Sequence, residues 1–170
     1  MNSRLIIANI IRWFILLLFQ ILILRNLSFY NMATPFVYVL FLLLLPFGIP
    51  NILLYLIAFG TGLTLDSFYD TFGVHTSACV VLAFVRILFI SVTVRDGSDE
   101  PEPTLGNMGI KWFILYAVLC IFSHHITLFF LETFRLTEIT YTLMRFGLSS
   151  LVTLFSVILI EFVFYNRKIR

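Results

Sequence analysis

The sequence predicts an all-α polytopic membrane protein, a bundle of about six short transmembrane helices, on three observations. Of the 170 residues, 61% are hydrophobic and only 12% charged, against roughly 45–50% and about 25% in an ordinary soluble domain. Mean hydropathy is +1.04, more apolar surface than one small core can keep from water. The apolar residues also come in blocks, parted by short segments that are polar or carry Pro and Gly. Lipid is therefore the solvent for much of the chain.

Each block predicts a span. The first covers 5–24, bracketed by Arg4 and Arg25; about 20 residues at roughly 1.5 Å each cover the bilayer core. No small-residue cleavage site follows this run, so it is expected to be a retained helix and not a signal peptide. Arg12 and Gln20 interrupt it and are expected to face protein or to snorkel. Pro35 suits the first position of a second helix over 36–45, because its missing N–H is an orphan there anyway. Pro46, Gly48 and Pro50 break the pattern before a third helix over 51–66. The fourth span covers 74–94. An acidic connector rich in Pro and Gly, 95–109, is expected to be solvated. The fifth and sixth spans, 110–131 and 141–165, complete the bundle. Arg167, Lys168 and Arg170 place the C-terminus in the cytoplasm by the positive-inside rule. Six spans put the N-terminus there too, and five would reverse it.

The residues able to carry chemistry cluster near 58–75. Asp66 and Asp70 are four apart, so on a continuing helix they share a face with Ala58 and Gly62; Gly60 widens that small-residue face. Three readings follow: a tight helix–helix seam closed by a polar cap, a ligand or ion site, and a proton relay. Gly73 marks the turn, and His75 beyond it is placed for its imidazole to meet the Asp66 carboxylate. Arg12, Arg86 and Glu161 form a second candidate set, because charges inside a bilayer should be paired. Glu161 is expected to neutralise one of the two arginines, with snorkelling as the alternative. The adjacent His124 and His125 point about 100° apart on a helix, which suits interhelical hydrogen bonds and not one shared ion.

Other functions are excluded or unsupported. Cys79 and Cys120 lie within apolar runs without a metal or redox spacing. No nucleophile elbow, zinc-protease helix or phosphate-cradling loop is present, so no catalytic residue, metal or cofactor is expected. The net charge is +2 and no basic cluster stands apart from the apolar runs, so nucleic acid is not an expected partner.

Residues 35–90 resemble the MreD family, the rod shape-determining membrane proteins of bacterial cell elongation. The resemblance rests on the proline-led Pro35-Phe36-Val37-Tyr38-Val39-Leu40 and on the small-residue helix Gly60-Thr61-Gly62-Leu63-Thr64-Leu65-Asp66. Gly73-Val74-His75, opening the next helix, completes it. It implies a non-enzymatic inner-membrane component with both termini cytoplasmic. Its direct partner would be an MreC-like protein, in one complex with an MreB filament, a RodA-like glycosyltransferase and a penicillin-binding transpeptidase. The resemblance further implies a fold similar to the S component of energy-coupling-factor transporters. That supplies the alternative expectation, a membrane subunit binding a vitamin-like small molecule.

Overall fold

The structure, a computed structural model, describes residues 3–26, 32–94, 102–133 and 139–165. Every helix or strand element among them is a helix: α1 (Ser3–Leu22, with a 3-10 turn Leu24–Asn26), α2 (Val39–Leu43), α3 (Asn51–Tyr69), α4 (Val74–Thr93), α5 (Leu105–Met108), α6 (Ile110–Thr133) and α7 (Ile139–Val163). Five of these, α1, α3, α4, α6 and α7, are long and apolar enough to cross a membrane. The chain is a helical multi-pass membrane protein. The expected acidic residues at 95–101, the polar link at 134–138 and the basic end at 166–170 lie outside the described residues.

The expected second span is the main correction. Over 36–45 the chain forms only the five-residue α2 flanked by turns, and a five-residue helix rises about 8 Å, far short of the roughly 30 Å of hydrocarbon. Every residue from Phe36 to Leu45 is buried. Irregular backbone at membrane depth is tolerated only where protein surrounds it, and here the other helices do. Pro46, Gly48 and Pro50 produce the expected break, and Pro50 leads directly into α3.

The interior segment runs antiparallel to α1. Its start meets Gln20, late in α1, and its end meets Arg12, halfway along it. It likewise passes α6 from His124 back to Tyr116. The segment thus threads the centre of the bundle. Around it, α3 packs on α4, α4 on α6 and α6 on α7.

The connector before α6 also departs from expectation. Its described part does not stay in solvent: Leu105 is buried, Thr104 caps α5 by accepting from the Asn107 N–H at 3.2 Å, and Glu102 reaches α1. Residues 102–108 therefore close one end of the bundle, touching the first half of α1 and the end of α7.

Candidate functional site

A buried segment that is mostly not helical leaves backbone groups without intrahelical partners, and each would cost about 1–3 kcal/mol if unpaired. Polar side chains from four helices answer them one by one. At the start, Ser149 accepts from the Thr34 N–H (3.1 Å), Thr153 from Phe36 N–H (3.0 Å) and Gln20 Oε1 from Val37 N–H (2.9 Å). Gln20 Nε2 also donates to the Pro35 carbonyl at 3.1 Å. At the far end, Tyr116 donates to the Leu43 carbonyl (2.9 Å) and Arg12 to that of Leu44 (3.5 Å). Arg86 donates to the carbonyls of Leu45 and Pro46. The last carbonyls of α2 carry the negative end of its dipole, which favours a cation there.

This settles where the expected charge cluster goes. Arg12, Arg86 and Glu161 do not pair with one another. Arg12 is 3.1 Å from Glu102, which the folded-back connector delivers beside Asn9. Arg86, 3% exposed, turns to the carbonyls of the interior segment and makes no ion pair among the described residues. Glu161 accepts from the Leu105 N–H at 2.9 Å, an orphan donor in the first turn of α5.

Arg86→Met is accordingly expected to leave two buried carbonyls unpaired and to destabilise the protein by about 2–5 kcal/mol. Thermal unfolding in detergent checks this. A melting temperature equal to wild type would refute the assigned role of Arg86.

Asp66 is the second polar centre. It closes α3 and caps α4: its carboxylate accepts from Thr71 Oγ1 (2.5 Å), His75 N–H (2.9 Å), Thr76 N–H (3.0 Å) and Thr76 Oγ1 (2.6 Å). Gly73, the residue before α4, has no side chain to cap with, so the orphan amides of α4 are served from α3. The link is short because Asp70 ends α3 in the left-handed region (φ 55°) and Gly73 repeats it (φ 80°); Asp tolerates that region and Gly is at home there.

Two expectations fail at this turn. Asp66 meets the backbone of His75, not its imidazole. Asp70 does not share the site: its side chain is exposed and lies 3.6 Å from Arg25. The small-residue stripe also splits. Ala58 and Gly62 are buried, and a Cβ on Gly62 would lie 2.4 Å from the Thr76 Cα, so Gly62 sits where α3 and α4 nearly touch. Gly60 lies on another face, where an added Cβ meets nothing within 4 Å.

The imidazole of His75 belongs to a third arrangement that the sequence does not announce. All three histidines of the chain join one buried thread through Tyr38. The Tyr38 hydroxyl lies 3.1 Å from His75 Nδ1 and 2.6 Å from His124 Nε2. His124 Nδ1 is 3.3 Å from His125 Nδ1, which is 2.9 Å from the Ile121 carbonyl, and His125 Nε2 is 3.1 Å from Thr153 Oγ1. With neutral rings, complementarity assigns one set of protons. The Ile121 carbonyl accepts only, so His125 Nδ1 carries hydrogen and Thr153 donates to His125 Nε2. His124 Nδ1 is then an acceptor, its Nε2 donates to Tyr38, and Tyr38 donates to His75 Nδ1.

His124 and His125 thus bond to different elements, α2's approach and α7, as their 100° divergence predicts. Among the described residues no three His, Cys, Asp or Glu side chains are grouped to hold a metal ion. Sequence reasoning missed Tyr38, Tyr116, Ser149, Thr153 and Thr76. A polar side chain within an apolar run was the available signal, and for Gln20 it pointed correctly to a protein-facing role.

No protein-family model matches this chain, and no curated protein or solved structure matches it either.

Proposed function

We propose that this chain is a non-enzymatic component of a bacterial cell-elongation complex, of the MreD kind, in the cytoplasmic membrane. In this reading the interior segment, antiparallel to α1, returns the chain across the bundle in place of a sixth spanning helix, so both termini are cytoplasmic. The described 102–108 segment, which touches the first half of α1 and the end of α7, then faces the cytoplasm. An MreC-like protein is the direct partner. Through it the chain joins an MreB filament to a RodA-like glycosyltransferase and a penicillin-binding transpeptidase. The observation that carries the reading is the filled interior. Gln20, Tyr38, Arg86, Tyr116, Ser149 and Thr153 along the centre each bond to the backbone of the 33–46 segment or to another side chain there. Such an interior makes a stiff body that presents fixed outer surfaces to other membrane proteins, as a scaffold requires. A vitamin-binding subunit would instead need polar groups turned towards a cavity.

The test is depletion in a rod-shaped host together with affinity capture from its membranes. Rounded cells and capture of an MreC-like protein are the expected results. Unchanged rods, or copurification with an energy-coupling ATPase module and a retained vitamin, would overturn the proposal.

A further inference from the structure

Of the six ring nitrogens in the histidine thread, five have protein partners. The sixth, His75 Nε2, has none among the described residues, and His75 is 3% exposed where His124 and His125 are at 0%. The thread therefore opens at His75, beside the α3–α4 turn. Its other end is closed. Thr153 Oγ1, beyond His125, accepts from the Phe36 N–H, and a backbone amide relays no proton. The thread is not a path across the membrane.

We propose that it is a proton-operated switch: His75 takes up one proton at the open end, and the Tyr38 hydroxyl answers by turning from His75 to Cys79. Two observations carry this. First, Tyr38 has two places for its one hydrogen. It donates to His75 Nδ1 at 3.1 Å while accepting from His124 Nε2 at 2.6 Å. The Cys79 thiol, one turn after His75 on α4, is also within hydrogen-bonding reach of that hydroxyl. With the hydrogen turned to sulfur, the Tyr38 oxygen can accept from His75 Nδ1 as well as from His124. The imidazole can then carry hydrogen on both nitrogens, Nδ1–H donating to Tyr38 and Nε2–H at the open end. The added proton, drawn from water, stays on the ring. The Tyr38 O–H bond stays intact and no hydrogen beyond Tyr38 moves.

Second, His75 is the member of the thread with a counter-charge. The Asp66 carboxylate accepts from its backbone N–H at 2.9 Å, and its charge acts on the ring. α3 also presents Tyr69, its ring centroid 4.7 Å from that of His75, with Arg25 over the Tyr69 ring and paired to Asp70. The other titratable neighbours are Cys79 on α4 and His124 and His125 on α6, while Gln20 of α1 and Thr153 of α7 are uncharged. Neither remaining histidine accommodates a proton. One added to His124 Nδ1 would face the N–H of His125 Nδ1 at 3.3 Å. One added to His125 Nε2 would displace the hydrogen that Thr153 donates there. Acid on the side of the α3–α4 turn is thus registered at Tyr38, in the centre of the bundle. This inference is independent of the scaffold reading.

The test is NMR of the full chain in lipid nanodiscs, labelled with nitrogen-15 at histidine and titrated from about pH 8 to about pH 4, across the ordinary imidazole range. His75→Gln identifies the His75 signals by their loss. His75 should gain its second N–H in this range while His124 and His125 keep one each. Cys79→Ser gives the turned hydroxyl a stronger acceptor and should move the His75 midpoint to about fivefold lower proton concentration. Cys79→Ala removes that acceptor and should move it about fivefold the other way. Uptake first at His124 or His125, no second N–H on any histidine, or one midpoint shared by wild type and both Cys79 variants overturns the proposal. If a Cys79 variant does not fold, the wild-type titration decides: uptake first at His75 supports the switch, and any other order refutes it.

Discussion

Gly62→Leu is expected to leave the protein unable to hold its native bundle in detergent. A first side-chain carbon at this position would lie 2.4 Å from the Thr76 Cα, 2.7 Å from the Thr76 nitrogen and 2.8 Å from the His75 carbonyl oxygen. All three are backbone atoms, so no rotamer change makes room. α3 and α4 must separate, and with them go the bonds from His75 and Thr76 to Asp66. Overpacking costs about 1–3 kcal/mol where neighbours can yield, and here they cannot. The expected loss is at the top of that range or above it. Gly60→Leu, two residues earlier, is the matched control: its Cβ meets nothing, and the change should stay within about 0.5 kcal/mol of wild type. Size-exclusion profiles and thermal unfolding of the two variants give the contrast, and equal behaviour would refute the close α3–α4 approach.

Asp66→Asn carries the second large effect. The carboxylate accepts four hydrogen bonds, two of them from amides at the start of α4. Asparagine replaces one accepting oxygen with a donating NH₂, which must face donors that already lack another partner. One or two buried donors are then left unpaired at about 1–3 kcal/mol each, and the favourable interaction of a negative charge with the helix N-terminus is lost as well. We expect a destabilisation of about 3 kcal/mol, with Thr76→Val, which removes one hydroxyl donor alone, costing about half as much. Thermal unfolding of both variants in the same detergent checks the order. An Asp66→Asn variant as stable as wild type would mean that α4 is not capped from α3.

The capping role also narrows what Asp66 does. A carboxylate accepting from Thr71, His75 and Thr76 at once has little left to offer an ion or a proton path, and its neighbour Asp70 is turned outwards. Of the readings open from sequence, the seam closed by a polar cap matches the geometry, with Gly62 as its closest point and Gly60 outside it.

Much of the fold was legible because lipid imposes simple demands. Where the solvent accepts no hydrogen bonds, long apolar runs become helices, and α1, α3, α4, α6 and α7 coincide with predicted spans to within a few residues. Pro46, Gly48 and Pro50 announced the break before α3 because proline removes a donor and obstructs a helix wherever it stands. Asp66 and the start of α4 lie within one short turn, so local geometry was enough to bring them together.

What the tertiary structure alone decided concerns residues whose chemistry looks the same in two environments. Phe36–Leu45 is as apolar as any lipid-facing run, and only the helices around it make it an interior segment. Once it is inside, its unpaired backbone explains why Gln20, Arg86, Tyr116, Ser149 and Thr153 stand within apolar helices. Arg12 took Glu102 and not Glu161 because the connector folds back across the bundle end, which spacing along the chain does not encode. Gly60 and Gly62 are the same residue in the same helix, turned about 200° apart by two steps of the helix. Which of them meets a neighbour and which faces open space depended on where α1 and α4 came to rest. Sequence determined the solvent and the helices; three-dimensional packing determined which side of each helix meets protein.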